Sequence, residues 1–490
     1  MMRPEEINRF LSELAANPAE VMDRVPDKRR DDGTARDEAL TAFDDDAVMT
    51  GDFVGQRDVV RAALYAEEGG VRYTVADLAA GKAPIERRDR AQDLVDEMRH
   101  DRPADVHAAG LAAAALPETP WSDDYWAIYL GILGRRYADG AFPGSEDWAQ
   151  NHAYVEARPA ATIVATRVQA AIDALSPSEK YDLLVGDAAF SLTAAMWAEG
   201  RSYHERSGRV EPWMGICHGW APASYMVPRP RRMVTVKSPD GVLIRFFPAD
   251  LRALASLLWA NAGPASRFIG TRCDEKDPKK DEAGRVLSAA AFDNNPGTFY
   301  LSMVNQIGQS RRSLIIDATY DYEVWNQPVC GYETHYFNPQ TMRFAATPRE
   351  GTVSRADFTR DRYARYRTPG YASALGVAMR TRYVVETPPS QAQTTSAADD
   401  ATTLVDYFFD LELDGAGRVV GGEWYLNRHP DFLWTPAPGK RAITPADAFA
   451  TGIWDGAGPV PVAWRAAAAR AGAEGLPLAR IVEQLVALAG

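Results

Sequence analysis

Residues 213–224 read Trp213-Met-Gly-Ile-Cys217-His-Gly-Trp-Ala-Pro-Ala-Ser224, and this stretch decides how the rest of the chain is understood. It sets one of three cysteines among aromatic, Gly and Pro residues, at the head of an apolar run. A thiol that opens a helix is favoured to ionise, because unpaired backbone N–H groups and the aligned peptide dipoles stabilise thiolate over thiol. The expectation for Cys217 is therefore a reactive sulfur whose pKa falls from about 8.5 toward neutrality. The competing reading is a small buried hydrophobe, which most free cysteines are. Dense flanking by Trp213, Gly215, Gly219, Trp220 and Pro222 favours the nucleophile, since a sulfur that merely fills space does not need it.

Composition narrows the classes. The chain has 490 residues, enough for one large domain or two to three ordinary ones. Its net charge of −13 disfavours nucleic acid and anionic membrane as partners, because both require a basic surface. Cysteines 217, 273 and 330 are too few and too scattered for a disulfide framework or a zinc site, leaving a single Cys273–Cys330 bridge as an alternative. The opening MMRPEEINRFLSELAAN is charged and amphipathic rather than a basic region followed by an apolar stretch. No apolar run approaches the ~20 residues of a membrane span. A cytoplasmic protein is the expectation, with export after removal of a leader as the alternative. Acidic residues at 274, 275, 277, 281 and 282 lack the ligand spacing and Gly of an EF-hand, so a solvated loop is expected there and no metal or cofactor is assigned.

Along the chain, helical spacing is expected near Ile7, Phe10, Leu11 and Leu14, around Leu94–Met98, and at 120–137, 159–175 and 181–198. Strands are predicted at 233–236 and 241–247, then a helix over 248–259 opened by Pro248 with Asp250 in its first turn. Residues 298–305 and 313–319 read as two strands joined by a type II′ turn, which sets position 300 opposite position 317. Residues 337–370 read as helical or irregular, and 387–400 as a flexible connection. Strands are expected at 404–412 and 418–424, and a helical tail from about 435.

The run GICHGWAPAS resembles the cysteine signature of the transglutaminase elicitor family. Further segments are similar to that family in the same order: PWSDDYW at 120–126, DNNPG at 293–297, EVWNQPV at 323–329, GGEW at 421–424 and HPDFLW at 429–434. The resemblance implies an α+β fold with a papain-like, transglutaminase-like core, in which a nucleophile helix packs on an antiparallel sheet. Helical additions would occupy 1–112 and 436–490, with the catalytic core at 113–435. It also implies a Cys, His and Asp triad, in which the nucleophile needs a base and the base needs an orienting group. Cys217 supplies the first, and Asp317, ending the apolar strand LIIDAT, is the candidate for the third.

The departure falls at Tyr300, which stands where the resemblance places the triad histidine. A phenol with a pKa near 10 is a poor base at neutral pH, whereas imidazole near 6.5 is suited to it. His429, His218 and His335 are the possible substitutes, and the remaining option is that none serves. Trp220, Trp325 and Asn326 are candidate walls of the substrate channel, with plain aromatic packing as the alternative for the Trp residues. Three functions stay open. The first is transglutaminase-type transfer of a Gln acyl group to Lys, another primary amine or water. The second is amide formation from a carrier-protein or small-molecule thioester, and the third a catalytically impaired binding protein.

Overall fold

The computed structural model describes residues 2–26, 28–30, 89–270, 278–288, 292, 294–318 and 323–490. The strands are β1 (Lys28–Arg29), β2 (Ala113–Ala115), β3 (Val234–Lys237), β4 (Leu243–Phe246), β5 (Ser266–Gly270), β6 (Ile315–Asp317) and β7 (Asn326–Asn338). They continue as β8 (Arg343–Ala345), β9 (Thr352–Ser354), β10 (Ser373–Val385), β11 (Ala401–Leu413), β12 (Val419–Trp424) and β13 (Phe432–Pro436). The main sheet runs β1-β11-β10-β7-β6-β13-β5 and its pairings are antiparallel; β3 and β4 form a separate hairpin. Helices and an antiparallel sheet thus build the α+β fold that the resemblance implied.

Side-chain alternation explains the sheet's two faces. Val377, Met379, Val405, Tyr407, Phe409 and Leu411 point to one side, where they bury Phe299, Tyr300 and Leu301. Ala378 and Phe408 point to the other, where the N-terminal helix Pro4–Ala16 lays Ile7, Leu11 and Leu14. Phe10 stacks on Phe408 with ring centroids 3.7 Å apart. The heptad-like spacing of that helix is thus a packing stripe, as its periodicity indicated.

A second core lies under the helical half. The cysteine helix, Cys217–Met226, packs against a backing helix, Pro248–Ala262, and shares its core with the C-terminal helices Val462–Ala473 and Ala479–Ala489. Residues 436–490 therefore belong to the apolar body around Cys217 rather than trailing from it. The backing helix begins as its sequence indicated, with the Asp250 carboxylate accepting from the Phe247 backbone N–H at 2.8 Å. Contact between the two helices requires Gly219. A Cβ there would stand 2.6 Å from the Ala260 nitrogen and closer still to the Ser256 carbonyl. Pro222 sits inside the cysteine helix and withholds the N–H that the His218 carbonyl would otherwise accept.

Several expectations are overturned. Residues 298–305 are not a strand: Pro296–Ser302 is α-helical and Met303–Gln309 continues it as a π-helical segment. Pro296 occupies the first turn, and the Asn295 side chain caps it by accepting from the Gly297 N–H at 2.8 Å. Every residue from Pro296 to Ile307 is buried, so the apolar run carried no periodicity to separate strand from helix. The predicted 300–317 hairpin pair therefore does not exist; Asp317 pairs instead with Asn326 of β7.

Residues 120–127 form no helix but an irregular run, followed by short 3₁₀ turns at Ile128–Leu130 and Ile132–Gly134. The side chains of Asp124 and Asp123 take the Trp126 backbone N–H at 2.8 Å and its indole N–H at 2.9 Å. Such bonds compete with helix formation, and Trp126 accordingly adopts a φ of 51°. At 94–98 only one 3₁₀ turn, Ala91–Asp93, precedes a turn, bends and irregular chain. Residues 159–175 and 181–198 are each divided between two helices, the second pair by Gly186 at φ 67°.

The 387–400 stretch has the composition of a linker but is stitched to the body. Thr387 N–H donates to the Asp123 carbonyl at 2.9 Å, and Met233 N–H to the Gln393 carbonyl at 2.7 Å. Arg229 grips Asp400 through both carboxylate oxygens, at 2.8 and 2.7 Å. In the acidic stretch near 280, Asp281 accepts from Tyr366 and Arg365 at 2.9 and 2.8 Å. Its neighbours at 274, 275 and 277 lie outside the described residues, as does the Cys273 half of the proposed disulfide.

Gly219→Ala is expected to cost about 1–3 kcal/mol by forcing the two helices apart. Urea unfolding checks this, with Gly415→Ala as the control because nothing lies within 4 Å of the added Cβ.

Candidate active site around Cys217

Three strands and one helix converge on the sulfur. The cysteine helix opens at Cys217, whose neighbour Ile216 is fixed by its N–H to the Tyr125 carbonyl at 2.7 Å. Gly215 lets the chain pass there, because a Cβ would collide with that same carbonyl. Facing the helix, β6 and β7 pair so that Asp317 lies opposite Asn326. Directly opposed residues share a sheet face. On the far edge of β6, β13 brings Trp434 opposite Ile315.

Within an apolar core, the sulfur makes two hydrogen bonds. The Asn326 Nδ2 donates to Sγ at 3.5 Å, and the thiol donates to the Val324 carbonyl at 3.6 Å. Trp434 Nε1 donates to Asn326 Oδ1 at 2.8 Å. The Asp317 carboxylate accepts from the Trp325 backbone N–H at 3.0 Å, which fixes it beside the connection carrying Val324. Cys217 itself is only 5% exposed.

Burial overturns the expected ionisation. Removal from water pushes the Cys217 thiol up to about 11; the Asn326 amides pull the other way, while the negative charges of Glu386 and Asp317 add to the rise. A helix N-terminus contributes at most about 2 kcal/mol, whereas full burial shifts a pKa by up to 3–5 units. Desolvation wins, and Cys217 rests as a neutral thiol.

No histidine takes the expected place. All seven histidines are described, and none bonds to the Cys217 sulfur. His429 is buried with its ring stacked on Trp424 at 4.4 Å and edge-on to Phe292, and desolvation holds its pKa down to about 3. His429 is therefore not the substitute for the missing triad histidine. His335 bonds Glu333 farther along β7, where Glu333 also holds the Met2 N–H. His218 lines a cleft on the flank of the cysteine helix with Pro222, Trp259 and Trp434, and burial holds its pKa down to about 4. Tyr300 is fully buried on its helix beside Tyr336 and Tyr332, and its pKa is raised well above the ordinary phenol value by burial. It neither faces Asp317 nor stands in for an imidazole.

The candidate channel walls divide. Trp220 is fully buried, its indole donating to the Trp121 carbonyl at 3.0 Å, so it packs the core and lines no channel. Trp325 is half-buried, tilts over Tyr125 at 5.1 Å and donates to Glu323 at 2.8 Å. Asn326 touches the sulfur directly. Sequence reasoning missed Trp434 and Glu386. The first lies in the quoted HPDFLW segment, but its role depends on a strand pairing that local pattern does not disclose. Glu386 follows the last residue of β10 and accepts from the Gln327 side chain at 2.7 Å, one residue past Asn326. Among the described residues no His, Cys, Asp and Glu cluster could hold a metal ion.

The transglutaminase elicitor family profile matches residues 100–448. The chain belongs to the transglutaminase elicitor family. Similarity extends to the crystal structure of the GP42 transglutaminase from Phytophthora sojae, at 22% identity and a TM-score of 0.46, covering 71% of this chain and 94% of that one. No curated protein matches. The matched region contains the cysteine helix and the strands that face it.

With a thiol near 11, alkylation of Cys217 by iodoacetamide is expected to be slower at pH 7.5 than that of a small free thiol. The rate should climb about tenfold per pH unit through pH 8 to 10, as thiolate alone reacts. Mass spectrometry of the labelled peptide over that range gives the slope; a plateau already reached near pH 7 contradicts the burial account.

Proposed function

We propose that this chain is a cysteine acyltransferase of transglutaminase type, joining the acyl group of a glutamine side chain to a primary amine such as Lys, with water as an alternative acceptor. The observation that carries the reading is the constellation at Cys217: a thiol at the first turn of a helix, bonded by the Asn326 amide and within the electrostatic reach of two carboxylates. In the first step sulfur attacks the carboxamide carbon. A C–S bond forms, the C–N bond breaks, and ammonia departs carrying the proton lost from the thiol. A neutral amine then attacks the thioester, a C–N bond forms, the C–S bond breaks, and the departing thiolate takes up the proton that the nitrogen loses, restoring the resting thiol.

The electrostatics favour an amine acceptor. Asp317 and Glu386 oppose negative charge on the sulfur, and the same fields attract an alkylammonium ion, the dominant form of a Lys side chain with its pKa near 10.4. Ionising a thiol of pKa near 11 at neutral pH costs about 5 kcal/mol, which lowers turnover without forbidding it. The proposed activity therefore rises with pH on the alkaline side.

A specific observation favours one rival, a binding protein built on the same fold: no imidazole contacts the sulfur, and Tyr300 is locked in the sheet core. The two readings separate in one assay. Wild type should release ammonia from a Gln-containing peptide and incorporate a primary amine, increasingly from pH 7 to 10, and Cys217→Ala should do neither. Ammonia release that survives Cys217→Ala refutes the acyltransferase, and silence of wild type across that range supports the binding protein.

Asp317→Asn gives a second expectation, with its sign set by charge. Removing the carboxylate lowers the Cys217 pKa and speeds its alkylation at pH 8, yet slows amine incorporation relative to hydrolysis. Both halves are read from the same preparation by labelling rate and product ratio.

A further inference from the structure

The Asn326 amide is oriented by chemistry rather than by assignment. An indole N–H can only donate, so the group that meets Trp434 Nε1 at 2.8 Å must be the amide oxygen. That leaves the amide NH₂ on the opposite arm, where it meets the Cys217 sulfur at 3.5 Å. Swapping the two ends would set donor against donor at Trp434. The ring nitrogen of one strand thereby decides which end of an amide on another strand faces the nucleophile.

The surroundings make this the group best placed to bear on the charge of the sulfur. Asn326 is 2% exposed and Trp434 4%, so their bonds act away from bulk water, where a donor has more effect. Of the groups acting on the thiol, the Asn326 amides lower its pKa, while burial, Glu386 and Asp317 raise it. Register places Asn326 at the first residue of β7, opposite Asp317, and β13 brings Trp434 up across β6. Two strands that flank the short β6 thus hold one hydrogen-bond chain from indole to amide to sulfur.

We propose that Asn326 is a catalytic residue that stabilises the Cys217 thiolate, both when it forms for attack and when it departs from the thioester, and that Trp434 is the positioning residue that aims it. The catalytic half rests on the acyltransferase reading; the effect on the thiol does not. No proton passes between Asn326 and the sulfur: the Nδ2–H donates to sulfur as its charge grows, and the thiol proton leaves with the ammonia.

The test is the pH profile of iodoacetamide labelling at Cys217 in the full chain, for wild type, Asn326→Ala and Trp434→Phe, with urea unfolding to confirm folding. Asn326→Ala should slow labelling about tenfold at pH 9, the effect of a thiol pKa raised by about one unit. Trp434→Phe keeps an aromatic ring while removing the donor and part of the buried indole, so, with folding confirmed, it should slow labelling the same way by a smaller amount. A folded Asn326→Ala whose profile superimposes on wild type overturns the donor role, and a superimposable Trp434→Phe overturns the positioning role. Ammonia release from the Gln peptide separates the two layers. Loss in Asn326→Ala of at least tenfold supports the catalytic assignment, and unchanged release overturns it. A wild type that releases none overturns the catalytic assignment together with the acyltransferase reading, while the labelling profiles still decide the thiol effect.

Discussion

The antiparallel pairing of β6 with the first three residues of β7 is the constraint on which the site depends. Only three residues of β6 are engaged, yet their register sets Asp317 against Asn326 and turns both toward the cysteine helix. A slip of one residue would send both side chains to the opposite face. The register is held on either side: β13 pairs with β6, and the rest of β7 runs on to pair with β10. The site is therefore made from the middle of the sheet, where neighbouring strands leave little freedom to move.

The same enclosure sets the electrostatics. A helix end and two amide contacts work to stabilise a thiolate, but the sulfur is nearly cut off from water and faces two carboxylates. Desolvation outweighs the helix because the helical field is worth a fraction of what burial costs. The resting thiol is protonated and shielded. In the proposed reaction, charge that opposes the thiolate also favours a cationic acceptor, so one pair of carboxylates would bear on both steps in opposite senses.

Much of this was legible before the fold was known, and the failures are instructive. The quoted cysteine motif and its companion segments identified the family, because each is short, specific and in the family's order. The helices at 4–16 and 248–262 and the strands at 401–413 and 419–424 followed from spacing and caps. The 296–309 helix did not, since a run buried on every side has no polar face to reveal its period. From that one error came the false pairing of Tyr300 with Asp317. Trp126 shows another limit: two buried aspartates hold it out of the helix that its aromatic neighbours suggested. The pKa of Cys217 was misjudged because a sequence shows where a helix starts but not how deeply it is buried.

The strip at 387–400, rich in Pro, Ser, Gln and Thr, looks from its letters like a hinge between two mobile halves. Its backbone instead bonds to Asp123 and to Met233, and Arg229 clasps its final residue, Asp400. These partners lie in the helical half, while the strip itself joins β10 to β11 of the sheet. It therefore works as a seam, fastening the two halves where composition suggests they would part. Endoproteases that favour loose, unstructured chain would find little purchase on it, and dividing the polypeptide there would leave two fragments each missing the other's hydrogen-bond partners.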